Sequence, residues 1–193
     1  MNLPNKLTIF RIILIPFFIL VLALPSMLGS FTVAGTVLTT QRLIAAIIFV
    51  VASLTDFLDG QIARRNHLVT NFGKFADPLA DKMLVITAFV FLVELNMAPA
   101  WVIAIIICRE LAVTGLRLIV VENDGEVIAA AWPGKIKTTT QMLAIIILLL
   151  NNILFDAISL PLGQIMLYIC LFFTVYSGID YFVKNGSIFA DSF

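Results

Sequence analysis

Six apolar stretches, each near the length that a bilayer requires, follow one another through this chain with short connections between them. About twenty helical residues cross the hydrocarbon of a membrane. No water is available there, so a spanning segment must satisfy its own backbone N–H and C=O groups, and a helix does this alone. The stretches cover residues 8–28, 42–63, 73–95, 99–121, 136–154 and 161–183, the third starting somewhere between Gly73 and Asp81. The chain is 61% apolar and 12% charged, with a mean hydropathy of +1.08. That is about half the ~25% charged content of soluble domains. The expectation is an all-α integral membrane bundle of six transmembrane helices, forming a single domain over residues 1–193. The first stretch reads as retained, since no small-residue cleavage site leads from it into a soluble domain.

Lysine and arginine set the topology. Arg64, Arg65 and Lys74 lie between the second and third stretches. Arg117, Lys135 and Lys137 lie near the connection of the fourth and fifth, Lys6 and Arg11 near the N-terminus, and Lys184 near the C-terminus. The other three connections carry no Lys or Arg, with Arg42 the exception just inside the second stretch. By the positive-inside rule both termini face the cytoplasm, which is consistent with an even number of spans in the cell membrane. Acids and bases balance at twelve each, which leaves no global basic face for nucleic acid. Cys108 and Cys170 stand in apolar runs without metal-ligand spacing and read as packing residues.

Against this background four aspartates stand out. They occur as Asp56-x-x-Asp59-Gly60-x-x-Ala63-Arg64, then eight residues, then Gly73-x-x-x-Asp77-x-x-x-Asp81. Ionised side chains in membrane segments are costly and functional by default. On a helix Asp56, Asp59, Gly60 and Ala63 fall within roughly 100° of arc, and Gly73, Asp77 and Asp81 within roughly 80°. Two acidic faces on consecutive antiparallel helices can converge on cations that relieve their mutual repulsion. The small residues beside them let a bulky ligand approach the backbone. Pro78 leaves two options, a helix beginning at Asp77 or one that starts earlier and bends there. Helix capping accounts for Asp77 taken singly, not for four acids at this spacing.

The eight fixed positions of this string match the signature of the CDP-alcohol phosphotransferase family, which the chain resembles over most of its length. The runs Leu3-Pro4-Asn5-Lys6-Leu7-Thr8, Asp77-Pro78-Leu79-Ala80-Asp81-Lys82, Arg109-Glu110, Thr114-Gly115-Leu116-Arg117 and Gly134-Lys135-Ile136-Lys137-Thr138 extend the likeness. The resemblance implies six transmembrane helices, a homodimer embedded among membrane lipids, and two divalent cations, Mg²⁺ or Mn²⁺. It implies transfer of a phosphatidyl group from CDP-diacylglycerol to sn-glycerol 3-phosphate with release of CMP. Carried over residue by residue, it makes Asp56, Asp59 and Asp77 metal ligands and Asp81 both a ligand and the general base. Gly60, Ala63, Arg64 and Gly73 become the CDP-diacylglycerol edge, with Asn5, Thr8 and Arg11 bordering the nucleotide. For those last three the other reading is a helix start with an interfacial cation.

A phosphorylated acceptor needs cations, and Arg grips two oxygens at once. Arg109 and Arg117 lie about 80° apart on one helix. Lys135 and Lys137, two residues apart, point to nearly opposite sides, so one of them enters the pocket, and Lys135 is preferred. The alternatives are a positive-inside anchor for each lysine and an internal ion pair with Glu110 or another acid for Arg109. Lys82 either neutralises the acids or snorkels to the headgroups. His67 reads as solvated, and Asp180 has no catalytic role. The competing functions are a transferase of the same family using phosphatidylglycerol, inositol phosphate or serine as acceptor, and a cation or proton transporter. The transporter fits poorly, since the acids gather at one side of the membrane.

Overall fold

The computed structural model describes residues 3–24, 29–33, 35–66, 71–122, 132–153, 155 and 159–184, with backbone alone over 3–4, 57–66, 71–75, 77–78, 118–119 and 121–122. It contains six helices: α1 (Leu3–Ala23), α2 (Thr40–Asn66), α3 (Asn71–Glu94), α4 (Ala100–Glu122), α5 (Trp132–Leu149) and α6 (Leu162–Lys184). Their succession matches the six apolar stretches. Among the described residues α1, over Asn5–Ala23, and α6 are long and apolar enough to cross a membrane. Charged residues lie within α3, α4 and α5, among them Asp81, Lys82, Arg109, Glu110, Arg117, Lys135 and Lys137.

The helix ends follow local chemistry. α3 closes in a Schellman motif: Asn96 takes φ 56°, and the Met97 amide donates to the Leu92 carbonyl at 2.8 Å. Asparagine tolerates this left-handed conformation better than most residues. α5 ends in the same way, five residues before the sequence suggested. Asn151 and Asn152 have φ 55° and 57°, and the Asn152 amide donates to the Ile147 carbonyl at 2.9 Å. α5 also starts four residues early, at Trp132, so both lysines lie inside the helix. α1 begins five residues before the expected start and ends at Ala23 rather than Leu28. At Pro78 the open choice resolves toward an early start, since α3 begins at Asn71.

One element departs from an all-α chain. Residues between α1 and α2 form a two-stranded antiparallel hairpin, β1 (Ser30–Val33) and β2 (Thr36–Thr39), in the register Ser30↔Thr39 to Val33↔Thr36. Its two-residue turn includes Gly35 at φ 86°, where glycine carries no Cβ penalty. The Asn151 side chain donates from Nδ2 to the Val37 carbonyl at 2.9 Å and ties the hairpin to the α5 end.

α1 packs on α2 and α3, and α6 packs on α4 and α5. The shared core includes Phe18, Phe49, Ala88, Phe89, Leu92, Val102, Ile106, Ile145 and Leu167. Gly163 permits the close approach of α6 to α5, because a Cβ there would meet Leu148 Cδ2 at 2.7 Å. Large apolar side chains also point outward, among them Phe17, Leu20, Val90, Trp101, Phe172 and Ile179. Exposed apolar area of this extent marks contact with lipid or protein.

Candidate active site

The polar residues concentrate at one end of the bundle. Arg11, on α1, is fully buried, and its Nη1 meets Asp56 Oδ1 on α2 at 2.8 Å. Arg11 is therefore no interfacial anchor but an internal partner of the first acid in the signature. Thr8, one turn earlier, is buried as well. Asp81, on α3, lies in the electrostatic field of Asp56, Arg11, Lys137 and Lys82. Two of the four signature acids thus come together from consecutive helices. Asp59, Gly60, Ala63, Arg64, Gly73 and Asp77 fall on the backbone of α2 and α3, and their side chains lie outside those described, as does His67 altogether. Among the described residues no group of three or more potential ligands assembles. The described pair nevertheless suits a hard divalent cation, since both donors are carboxylates.

Beside Asp81 two adjoining cavities open. The smaller, about 100 Å³, is lined by Asp81, Lys82, Glu110, Lys137, Thr138 and Gln141 together with apolar residues. The larger, about 270 Å³, is lined by Lys82, Arg109, Arg117, Lys137 and Lys184, against the acids Glu110 and Asp180. Lys82, Glu110, Lys137 and Thr138 belong to both walls. The larger cavity is therefore a basic pocket that opens next to a carboxylate. Cations in a low-dielectric enclosure hold an anion more firmly than they do in water.

Four of these five cations are held by named contacts. Lys137 pairs with Glu110. Lys82 donates to the Thr114 hydroxyl, which in turn donates to the Glu110 carbonyl at 2.7 Å. Arg109 Nη2 donates to Ser177 Oγ at 2.9 Å, so the arginine is not spent on its sequence neighbour Glu110. Lys184 pairs with Asp180 at 2.8 Å, one turn apart on α6, consistent with a non-catalytic Asp180.

The preference for Lys135 is corrected. Lys137 is only 6% exposed and lines both cavities, whereas Lys135 is exposed, with its ammonium 5.7 Å from the Trp132 ring centroid. The two lysines do point apart, and the packing of α5 on α6 turns the second of them inward. Lys82 lines both cavities near Asp81, which favours neutralisation of the acids over snorkelling. Thr114 and Ser177 were not read from the sequence as site residues, and Glu110 was read only as an ion-pair partner for Arg109. Glu110 carried a usable signal, an acid within an apolar run, but Thr114 and Ser177 are ordinary helix residues without their neighbours in view.

The sequence profile of the CDP-alcohol phosphatidyltransferase family matches residues 1–176. A Bacillus subtilis protein named CDP-diacylglycerol–glycerol-3-phosphate 3-phosphatidyltransferase is 50% identical over 184 residues, covering 95% of each chain. A Haemophilus influenzae protein of the same name is 39% identical over 194 residues, 97% of this chain and 95% of its own. A Mycobacterium tuberculosis protein named probable phosphatidylglycerophosphate synthase is 37% identical over 186 residues, 95% of this chain and 81% of its own.

Proposed function

Because the chain belongs to the CDP-alcohol phosphatidyltransferase family, we propose that it transfers a phosphatidyl group from CDP-diacylglycerol to sn-glycerol 3-phosphate. The products are phosphatidylglycerophosphate and CMP. The protein is a homodimer of six-span subunits in the cytoplasmic membrane, with both termini and the site on the cytoplasmic side. The distribution of Lys and Arg and the outward apolar side chains support this disposition. One observation carries the reading: a cavity walled by four cations from α3, α4 and α5 adjoins the cavity that contains Asp81. A phosphorylated alcohol fits that arrangement, with its anionic end among the cations and its hydroxyl toward the acid.

In the reaction an acceptor hydroxyl oxygen attacks the diacylglycerol-bearing phosphorus, and the bond from that phosphorus to CMP breaks. Asp81 receives the hydroxyl proton, and CMP leaves with the bonding electron pair. Arg109, Arg117 and Lys137 hold the acceptor phosphate through charge-assisted hydrogen bonds. Lys135 serves as a membrane-surface anchor on Trp132. Gly60, Ala63, Arg64 and Gly73, with Asn5 and Thr8, form the edge against which the nucleotide lies. Asp56, Asp59, Asp77 and Asp81 would hold two Mg²⁺ or Mn²⁺ ions, which when bound neutralise the pyrophosphate and the departing CMP. Arg11 keeps Asp56 oriented toward that cluster.

The experiment that tests the reading is CMP release by purified protein given CDP-diacylglycerol and, in turn, glycerol 3-phosphate, inositol phosphate, phosphatidylglycerol and serine. Glycerol 3-phosphate should give the highest kcat/KM. Preference for serine or phosphatidylglycerol would refute the assignment of the basic cavity to an acceptor phosphate.

A further inference from the structure

Arg109 reaches the basic cavity by crossing α6, and α6 is shaped where it crosses. Gly178 is buried there, and a Cβ on it would lie 3.0 Å from Arg109 Cγ, 3.3 Å from Nε and 3.8 Å from Cδ. Contacts that short require the neighbour to give way, so the arginine stem occupies a groove that exists because residue 178 has no side chain. The preceding residue supplies the polar half. Ser177 Oγ donates to the Phe173 carbonyl at 2.5 Å, which commits its proton. Its lone pairs then remain for the donor on Arg109 Nη2 at 2.9 Å. The Arg109 Nε–H is buried without a hydrogen-bond partner among the described residues. A buried donor in that condition is costly unless a ligand satisfies it.

We propose that Ser177 and Gly178 are positioning residues that preset the Arg109 guanidinium for the acceptor phosphate. The proposal rests on the reading of the basic cavity as the acceptor site. The bare backbone at 178 fixes how close the stem lies to α6, and the Ser177 hydroxyl fixes the rotation of the guanidinium about it. Other donors of the guanidinium, Nε–H among them, are left for an anion. A two-point grip on a phosphate tolerates displacements of only about 0.5 Å. A methyl group at 178 therefore weakens acceptor binding without touching the acceptor. The competing explanation is that Gly178 serves only helix packing. In that case alanine, the better helix former, changes stability and leaves substrate preference alone.

The test is steady-state CMP release for wild type, Gly178→Ala, Ser177→Ala, Arg109→Ala and the two double variants, with each substrate varied in turn and thermal unfolding measured alongside. Gly178→Ala and Ser177→Ala should each raise the acceptor KM roughly three- to tenfold. The KM for CDP-diacylglycerol should stay within about twofold, and in the Arg109→Ala background either change should add less than about twofold. An unchanged acceptor KM in both single variants overturns the proposal. So does an effect of equal size whether or not Arg109 is present. If Arg109→Ala itself leaves the acceptor KM unchanged, the acceptor-site reading falls and the proposal falls with it. If Arg109→Ala raises that KM while positions 177 and 178 are silent, only the positioning role falls.

Discussion

Replacing Lys137 by methionine keeps most of the stem and removes the charge. The side chain is only 8% exposed and its partner Glu110 18% exposed, so bulk water screens neither strongly. One charge-assisted hydrogen bond to the acceptor phosphate contributes about 1.5–3 kcal/mol. At about 1.4 kcal/mol per factor of ten, its loss costs roughly 10- to 150-fold in affinity. Glu110 already holds the ammonium, so the acceptor wins it in competition, which puts the expected rise in acceptor KM at the low end, roughly 10- to 30-fold. Lys135→Met is the control. That lysine is exposed over Trp132, where surface charges contribute ~0–1 kcal/mol, and its effect should stay within about fivefold. The assay is CMP release in detergent micelles at saturating CDP-diacylglycerol with glycerol 3-phosphate varied, and thermal unfolding checks that both variants fold. An acceptor KM within twofold of wild type for Lys137→Met, or an equal rise for Lys135→Met, would refute the reasoning.

Two further outcomes follow from the geometry. Asp81→Asn removes the proton acceptor while keeping the side-chain volume, so turnover should vanish with CDP-diacylglycerol binding largely retained; normal turnover measured in that variant would remove Asp81 as the base. Gly163→Ala puts a methyl group against Leu148, where a Cβ would lie 2.7 Å from Cδ2, and overpacking of this kind costs about 1–3 kcal/mol. A thermal scan should show a lower Tm, and an unchanged or higher Tm would mean that α5 and α6 separate freely.

The helical content of this architecture was legible in the sequence. Six long apolar runs read as helices, whereas their exact ends did not: α5 stops five residues short of its run, before Asn151 and Asn152, because asparagine accepts a left-handed backbone. The hairpin was missed because two four-residue strands carry little periodic signal beside twenty-residue spans. In the site, Asp56 and Asp81 came together from helical spacing and antiparallel succession alone. What spacing could not supply was partner choice across helices. The sequence put Glu110 beside Arg109, but side chains at consecutive helix positions diverge by about 100°, and the structure pairs Glu110 with Lys137 and Arg109 with Ser177. The same limit hid Arg11, whose partner lies on α2, and reversed the choice between Lys135 and Lys137, which depends on how α5 is rotated against α6.

The most direct measurement is Mn²⁺ binding to the solubilised protein, followed by electron paramagnetic resonance without any substrate. Wild type should bind about two ions per chain, as two-metal phosphoryl-transfer sites do. Asp56→Asn and Asp59→Asn should each lose at least one. Failure of the wild type to bind Mn²⁺, or full binding when all four aspartates are replaced by asparagine, would contradict a metal centre built by α2 and α3.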